Sequence, residues 1–179
     1  LIREKKIIAL VNDQMISIGD IPDNFEINPK QRLQVDSFRQ KEPIINKVAV
    51  KETLENLTFP LHFIDYETYA SAVPKVDKLK PHNHFVFQVS IHTLLESGEL
   101  NHFEWLGDKM ELPLGMLEKM KNFTGEEGTF ICWFETFEKT RNKEMIEWIP
   151  EYAKYLSNMN ENVFDLMKIF NENYVDYRF

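Results

Sequence analysis

Asp65 and Glu67 stand two residues apart at the end of the apolar run Leu61-His62-Phe63-Ile64. Side chains two apart in a strand share a face, so this spacing turns both carboxylates the same way. Like charges held together on one face call for a cation between them. Oxygen-only donors of this kind suit a hard metal, magnesium or manganese. The same spacing also describes an ordinary half-exposed strand whose polar residues face water. Spacing alone leaves both readings open.

Whether the acids can work together depends on the elements around them. Pro60 precedes the strand Leu61–Tyr66, and residues 70–83 read as a loop with Pro74, Pro81 and several lysines. Phe85, Phe87, Val89 and Ile91 alternate, which predicts a strand from Phe85 to Leu95. Glu96-Ser97-Gly98-Glu99 is a hairpin turn signal, and Leu100–Leu106 returns as a second strand. Leu112–Phe123 is an amphipathic helix with Pro113 near its start. Residues 124–128 break it, and Thr129–Trp133 is apolar enough for a buried strand. Glu135–Trp148 is helical up to Pro150, Tyr152–Leu156 forms one more turn, and Glu161–Phe170 is a last helix. Upstream, residues 1–16, 29–40 and 48–57 carry helical patterns, the second introduced by Asn28-Pro29. The expected organisation is a mainly helical segment, 1–58, followed by an α/β domain with a mixed sheet, 59–179.

Composition narrows the function classes. The chain has 179 residues, of which 43% are hydrophobic and 28% charged, and its 14 Phe, 6 Tyr and 3 Trp supply a sizeable core. Six glycines leave no glycine-rich phosphate loop of standard spacing. A net charge of −8 does not attract nucleic acid by its overall field, so such binding needs a local basic patch or a metal. Lys75, Lys78 and Lys80 form the one basic cluster near the first strand, suited to phosphates or simply to solvent. Tyr66, Tyr69 and Phe87 suit base stacking or core packing equally. The single thiol, Cys132, lies in an apolar run, reads as core, and fits a reducing, cytoplasmic location. There is no apolar run of the ~20 residues a bilayer requires, so no membrane partner is expected. A start without Met or a signal pattern, and an aromatic end, read as a piece of a longer protein. His92 and His102 fall on the two hairpin strands and predict a cross-strand pair. His62 falls on the face opposite Asp65.

The element order, with Asp65-Tyr66-Glu67-Thr68 on its first strand and Phe137-Glu138 after the buried strand, resembles the RNase H-like fold of the DEDD exonuclease superfamily. That superfamily commonly has Asn-x-x-Phe-Asp at the second place; here Phe134 stands for the Asn and Glu138 for the Asp. The chain is more closely similar to a bacterial domain-of-unknown-function family, number 2779, found downstream of RecB-like nuclease domains. The strings that carry this are Ile21-Pro22-Asp23-Asn24-Phe25, Lys30-Gln31-Arg32-Leu33-Gln34-Val35, Phe59 to Thr68, Phe87-Gln88-Val89-Ser90-Ile91-His92 and Phe137-Glu138-Lys139. The resemblance implies an RNase H-like sheet cut short at its C-terminal side. It also implies a 3′–5′ exonuclease-like activity on DNA or RNA, with two Mg2+ or Mn2+ ions about 4 Å apart. Asp65 would bridge both ions, Glu67 would orient the attacking water, and Glu138 and Asp165 would complete the acids. The late His or Tyr base of many relatives has no counterpart. The alternative is a catalytically degenerate module that supports a neighbouring RecB-like nuclease domain.

Overall fold

The computed structural model describes residues 4–178. In chain order its elements are α1 (Glu4–Asn12), α2 (Pro29–Gln40), β1 (Ile44–Ile45), α3 (Lys47–Glu55), β2 (Leu61–Ala70), β3 (His84–Leu94), β4 (Leu100–Leu106), α4 (Leu114–Thr124), β5 (Thr129–Cys132), α5 (Glu135–Trp148), α6 (Ala153–Glu161), β6 (Val163–Asp165), α7 (Leu166–Asn173) and β7 (Tyr174–Val175). Single 3₁₀ turns lie at Ile18–Asp20 and Pro150–Tyr152. Among the described residues no helix is long and apolar enough to cross a membrane.

The chain divides into two compact units, residues 1–52 with 168–179, and residues 53–167. In the first, Asn28 caps α2 reciprocally. Its Oδ1 accepts from the Gln31 N–H at 2.8 Å, and Gln31 Oε1 accepts from the Asn28 N–H at 3.0 Å. Leu10, Ile21 and Val35 form a small core of this unit. β1 pairs antiparallel with β7, so residues late in the chain complete it.

The second unit is α/β, built on a five-stranded mixed sheet in the order β4-β3-β2-β5-β6. β3 runs antiparallel to both β2 and β4, while β5 runs parallel to β2 and β6 parallel to β5. β2, which carries Asp65 and Glu67, is therefore central. One sheet face is packed: Ile64, Tyr66, Val89, Ile91, Phe130 and Cys132 meet Met116, Leu117 and Met120 of α4, Met145 and Trp148 of α5, and Tyr155, Leu156 and Met159 of α6. Full burial of each such side chain is worth about 1.5–3 kcal/mol, so this core holds the helices on that face. Phe63, Asp65 and Glu67 lie on the opposite, exposed face.

Glu161–Phe170 does not form the single helix that its pattern predicts. Val163–Asp165 is the strand β6, paired with β5, and the helix begins only at Leu166. A three-residue strand has too few positions to show a period, and its pairing partner lies some thirty residues away.

Candidate functional site

β5 pairs with β2 only along Leu61–Phe63, so the next stretch of that edge of β2 has no strand partner. The first turn of α5 comes in beside it: the Glu138 carboxylate is near enough to the Tyr66 backbone N–H for that group to favour its charged form. Glu138 is 3% exposed, and its Oε2 has no hydrogen-bond partner. Tyr66 lies between the two exposed acids of β2, and the charges of Asp65 and Glu67 both reach Glu138. Tyr66 itself points into the core, where its hydroxyl donates to Asn142 Oδ1 at 3.0 Å.

The turn from β5 into α5 is made by Phe134, whose φ of 72° is left-handed. Asn adopts that region several-fold more often than other non-glycine residues. An asparagine is thus a residue this backbone position favours, and the phenylalanine bears strain. Phe134 is 48% exposed and gives up little packing when replaced. The expected result is that Phe134→Asn raises stability by about 1 kcal/mol, read as a higher urea midpoint. An unchanged or lower midpoint would refute the strain.

The charges reinforce this arrangement. Burial first, then the nearby Asp65 charge and in smaller part Glu67, push the Glu138 carboxyl up to about 8, against the Tyr66 N–H and Arg141. Arg141, unforeseen from the sequence, is 6% exposed. It lies 2.9 Å from Glu144 and sits over the Phe137 ring at 5.0 Å. Its only sequence signal is its place one turn after Glu138. Burial, then the charges of Glu138, Asp165 and Glu135, push the Cys132 thiol up to about 12, so this cysteine is a buried neutral group.

Asp165 is placed differently. It lies opposite Cys132 at the end of β6, 4% exposed. Its Oδ1 accepts from the Phe134 N–H at 2.9 Å and from the Met167 N–H at 3.0 Å. It ties the start of α5 to the start of α7, and its charge reaches Cys132 from the same neighbourhood as that of Glu138. Among the described residues no three His, Cys, Asp or Glu side chains are grouped to hold a metal ion. The donor set nevertheless fits a hard divalent cation in kind, being all carboxylate with one buried oxygen unpartnered. Asp65, Glu67 and Glu138 are electrostatic neighbours rather than a closed cage.

The three lysines part company. Lys78 donates to the Trp148 carbonyl at 2.7 Å, and Lys80 is exposed, its backbone N–H bonded to Asn83. Lys75 is exposed on the wall of a cavity. His62 is a core residue: it stacks on Phe130 and bonds Thr93 Oγ1 at 2.8 Å, and burial lowers its pKa. His92 and His102 stack across the hairpin at 4.2 Å. His84, the first residue of β3, bonds Thr68 Oγ1 at 2.9 Å and meets the Phe137 edge, next to Glu138 in sequence.

Compared with known proteins, residues 62–179 match the model of a protein family described as a domain of unknown function, DUF2779. No curated protein and no solved structure matches the chain.

Proposed function

The chain belongs to the DUF2779 family, and from that premise we propose that its α/β unit is a metal-dependent nuclease module with an RNase H-like sheet, acting on DNA or RNA in the manner of a 3′–5′ exonuclease. The observation that carries the reading is Glu138: a buried carboxylate with an unpartnered oxygen, docked on the strand between two further acids. Burying a carboxylate beside like charges is costly unless it is neutralised. A central strand bearing the acids, with parallel strands on one side and the hairpin on the other, supports the RNase H-like assignment.

Asp65 and Glu67 would hold a divalent cation from the strand, and Glu138 from the helix. Bound there, the ion would polarise a phosphoryl oxygen and lower the pKa of a bound water. Asp65 and Glu67, being exposed, remain open to a phosphodiester. The buried Glu138 would close the far side, next to the Tyr66 N–H. Asp165, already bonded to two backbone N–H groups, positions the helix that carries Glu138.

The test is calorimetric titration of Mn2+ into the chain and into Asp65→Ala. We expect binding to the parent and at least tenfold weaker binding to the variant, whose fold is spared because Asp65 is exposed. Equal affinity in both would sink the proposal. A second reading, a degenerate module supporting a RecB-like nuclease neighbour, is favoured by the absence of a grouped three-ligand set among the described residues. It predicts no Mn2+ binding and no hydrolysis of labelled oligonucleotides.

A further inference from the structure

Past Glu67 the β2–β3 ladder is irregular. Gln88 lies opposite Glu67 but Val86 lies opposite Thr68, which leaves Phe87 as an extra residue. A bulge of this kind bends the strand and re-aims a side chain. The chain leaving β4 closes onto it: the Gly107 N–H donates to the Phe87 carbonyl at 2.7 Å. A Cβ at Gly107 would stand only 3.2 Å from that oxygen, so a side chain would crowd this approach. The result is a cavity of about 360 Å³ lined by Tyr69, Phe85, Phe87 and Met110, with Lys75 and Lys109 among its walls. A smaller cavity of about 110 Å³ adjoins it, sharing Phe85, Phe87 and Lys109.

Three features define what such a space takes. Its volume is near the lower end of ligand pockets, roughly 300–1,000 Å³, which suits one nucleotide and not a duplex. Its lining is aromatic, with Tyr69 48% exposed and so free to stack on an entering planar group. Its charge is opposite to that of the chain as a whole: two lysines in a protein of net charge −8. Neither lysine makes an ion pair among the described residues. Asp108, the one acid of the wall, is an acceptor for a base amino group or a sugar hydroxyl.

Tyr69 is two residues beyond Glu67 on the same strand, about 7 Å at ~3.3 Å per residue. Asp65, Glu67 and Tyr69 are all exposed at alternate positions of β2. We infer that this cavity is the seat of one nucleotide of a single-stranded nucleic acid, its base against Tyr69 and Phe87 and its phosphate on Lys75 and Lys109. The inference builds on the nuclease reading in placing that nucleotide next to the acids. Binding itself is independent of metal.

The test is fluorescence anisotropy with fluorescein-labelled dT12 and rU12 in EDTA at 50 mM salt, alongside an abasic chain of equal length. Tyr69→Ala should weaken the tighter of the two oligomers at least fivefold, the lower end expected for one lost stack, and leave the abasic chain unchanged. Tyr69→Phe should bind like the parent. The double variant Lys75→Gln/Lys109→Gln should weaken oligomer and abasic chain alike and flatten the salt dependence. The inference is overturned if the parent binds neither oligomer, if the abasic chain binds as tightly, or if Tyr69→Ala stays within twofold of the parent. Oligomer binding in EDTA without a Mn2+ titration signal would remove the nuclease reading and leave the nucleotide seat standing. A Mn2+ signal with no oligomer binding would do the reverse.

Discussion

Above pH 8 the Glu138→Gln variant should unfold at a markedly higher temperature than the parent, and at pH 4.5 the two should coincide. Glu138 is held near 8 in the fold against 4.5 for a free glutamate, first by burial and then by Asp65. A carboxyl whose folded pKa is raised keeps its proton in the native state while the unfolded chain releases it. Its contribution to stability is therefore complete below about 4.5 and is lost progressively as pH rises toward 8. At ~1.4 kcal/mol per unit the loss is a few kcal/mol, on the order of 5 at most. Glutamine mimics the protonated acid in size and polarity and has nothing to ionise. At about 2–4 °C per kcal/mol the gap at high pH is roughly 10 °C. Thermal melts by circular dichroism at pH 4.5, 6, 7 and 8.5 would read it, and two parallel pH curves would show that Glu138 carries no such burden. Under the proposed function, Mn2+ at pH 8.5 should raise the parent's midpoint by mass action and leave the variant's nearly unchanged.

The same residue shows what a one-dimensional pattern conveys and where it stops. Asp65 and Glu67 on one face of a central strand follow from alternation alone, and β2 carries them so. The hairpin, the capped helix at Pro29 and the uniformly buried β5 were legible for similar local reasons. Glu138 was legible as a residue type in the right order, but its burial was not. α5 buries Glu138, Arg141 and Asn142 along with Met145 and Trp148, so part of its inward face is polar and a hydrophobic period cannot mark it. The bulge beside Glu67 is a matter of register between two strands, and neither strand's own pattern records it. β6 and the β1–β7 pair are two or three residues long and exist only through their partners. The lysine cluster illustrates the remaining gap: three similar side chains in six residues, of which one donates to a helix-end carbonyl and another lines a cavity.

Gly128→Ala should cost more than about 4 kcal/mol, the range reserved for a clash that the core cannot relieve. Gly128 has a φ of +94°, and a Cβ built there would lie 2.2 Å from the Pro60 carbonyl oxygen and 3.0 Å from its Cδ. Neither atom can step aside. The Pro60 carbonyl accepts from the Thr129 N–H at 3.0 Å, and Thr129 Oγ1 donates to the Thr58 carbonyl at 2.9 Å while accepting from the Thr58 N–H at 3.0 Å. These bonds set β5 against the first residues of β2, where Leu61 faces Thr129. Gly125 is the internal control, because its φ of +69° is also left-handed but nothing lies within 4 Å of its added Cβ. Gly125→Ala should therefore cost only the backbone penalty of about 1–3 kcal/mol. Urea unfolding of both variants would separate steric exclusion from conformational preference, and equal costs would refute the clash. Whatever fraction of Gly128→Ala still folds must shift β5 along or away from β2, and α5 moves with β5. Glu138 would then move relative to Asp65 and Glu67, so this variant should also bind Mn2+ more weakly than Gly125→Ala if the carboxylates act as proposed.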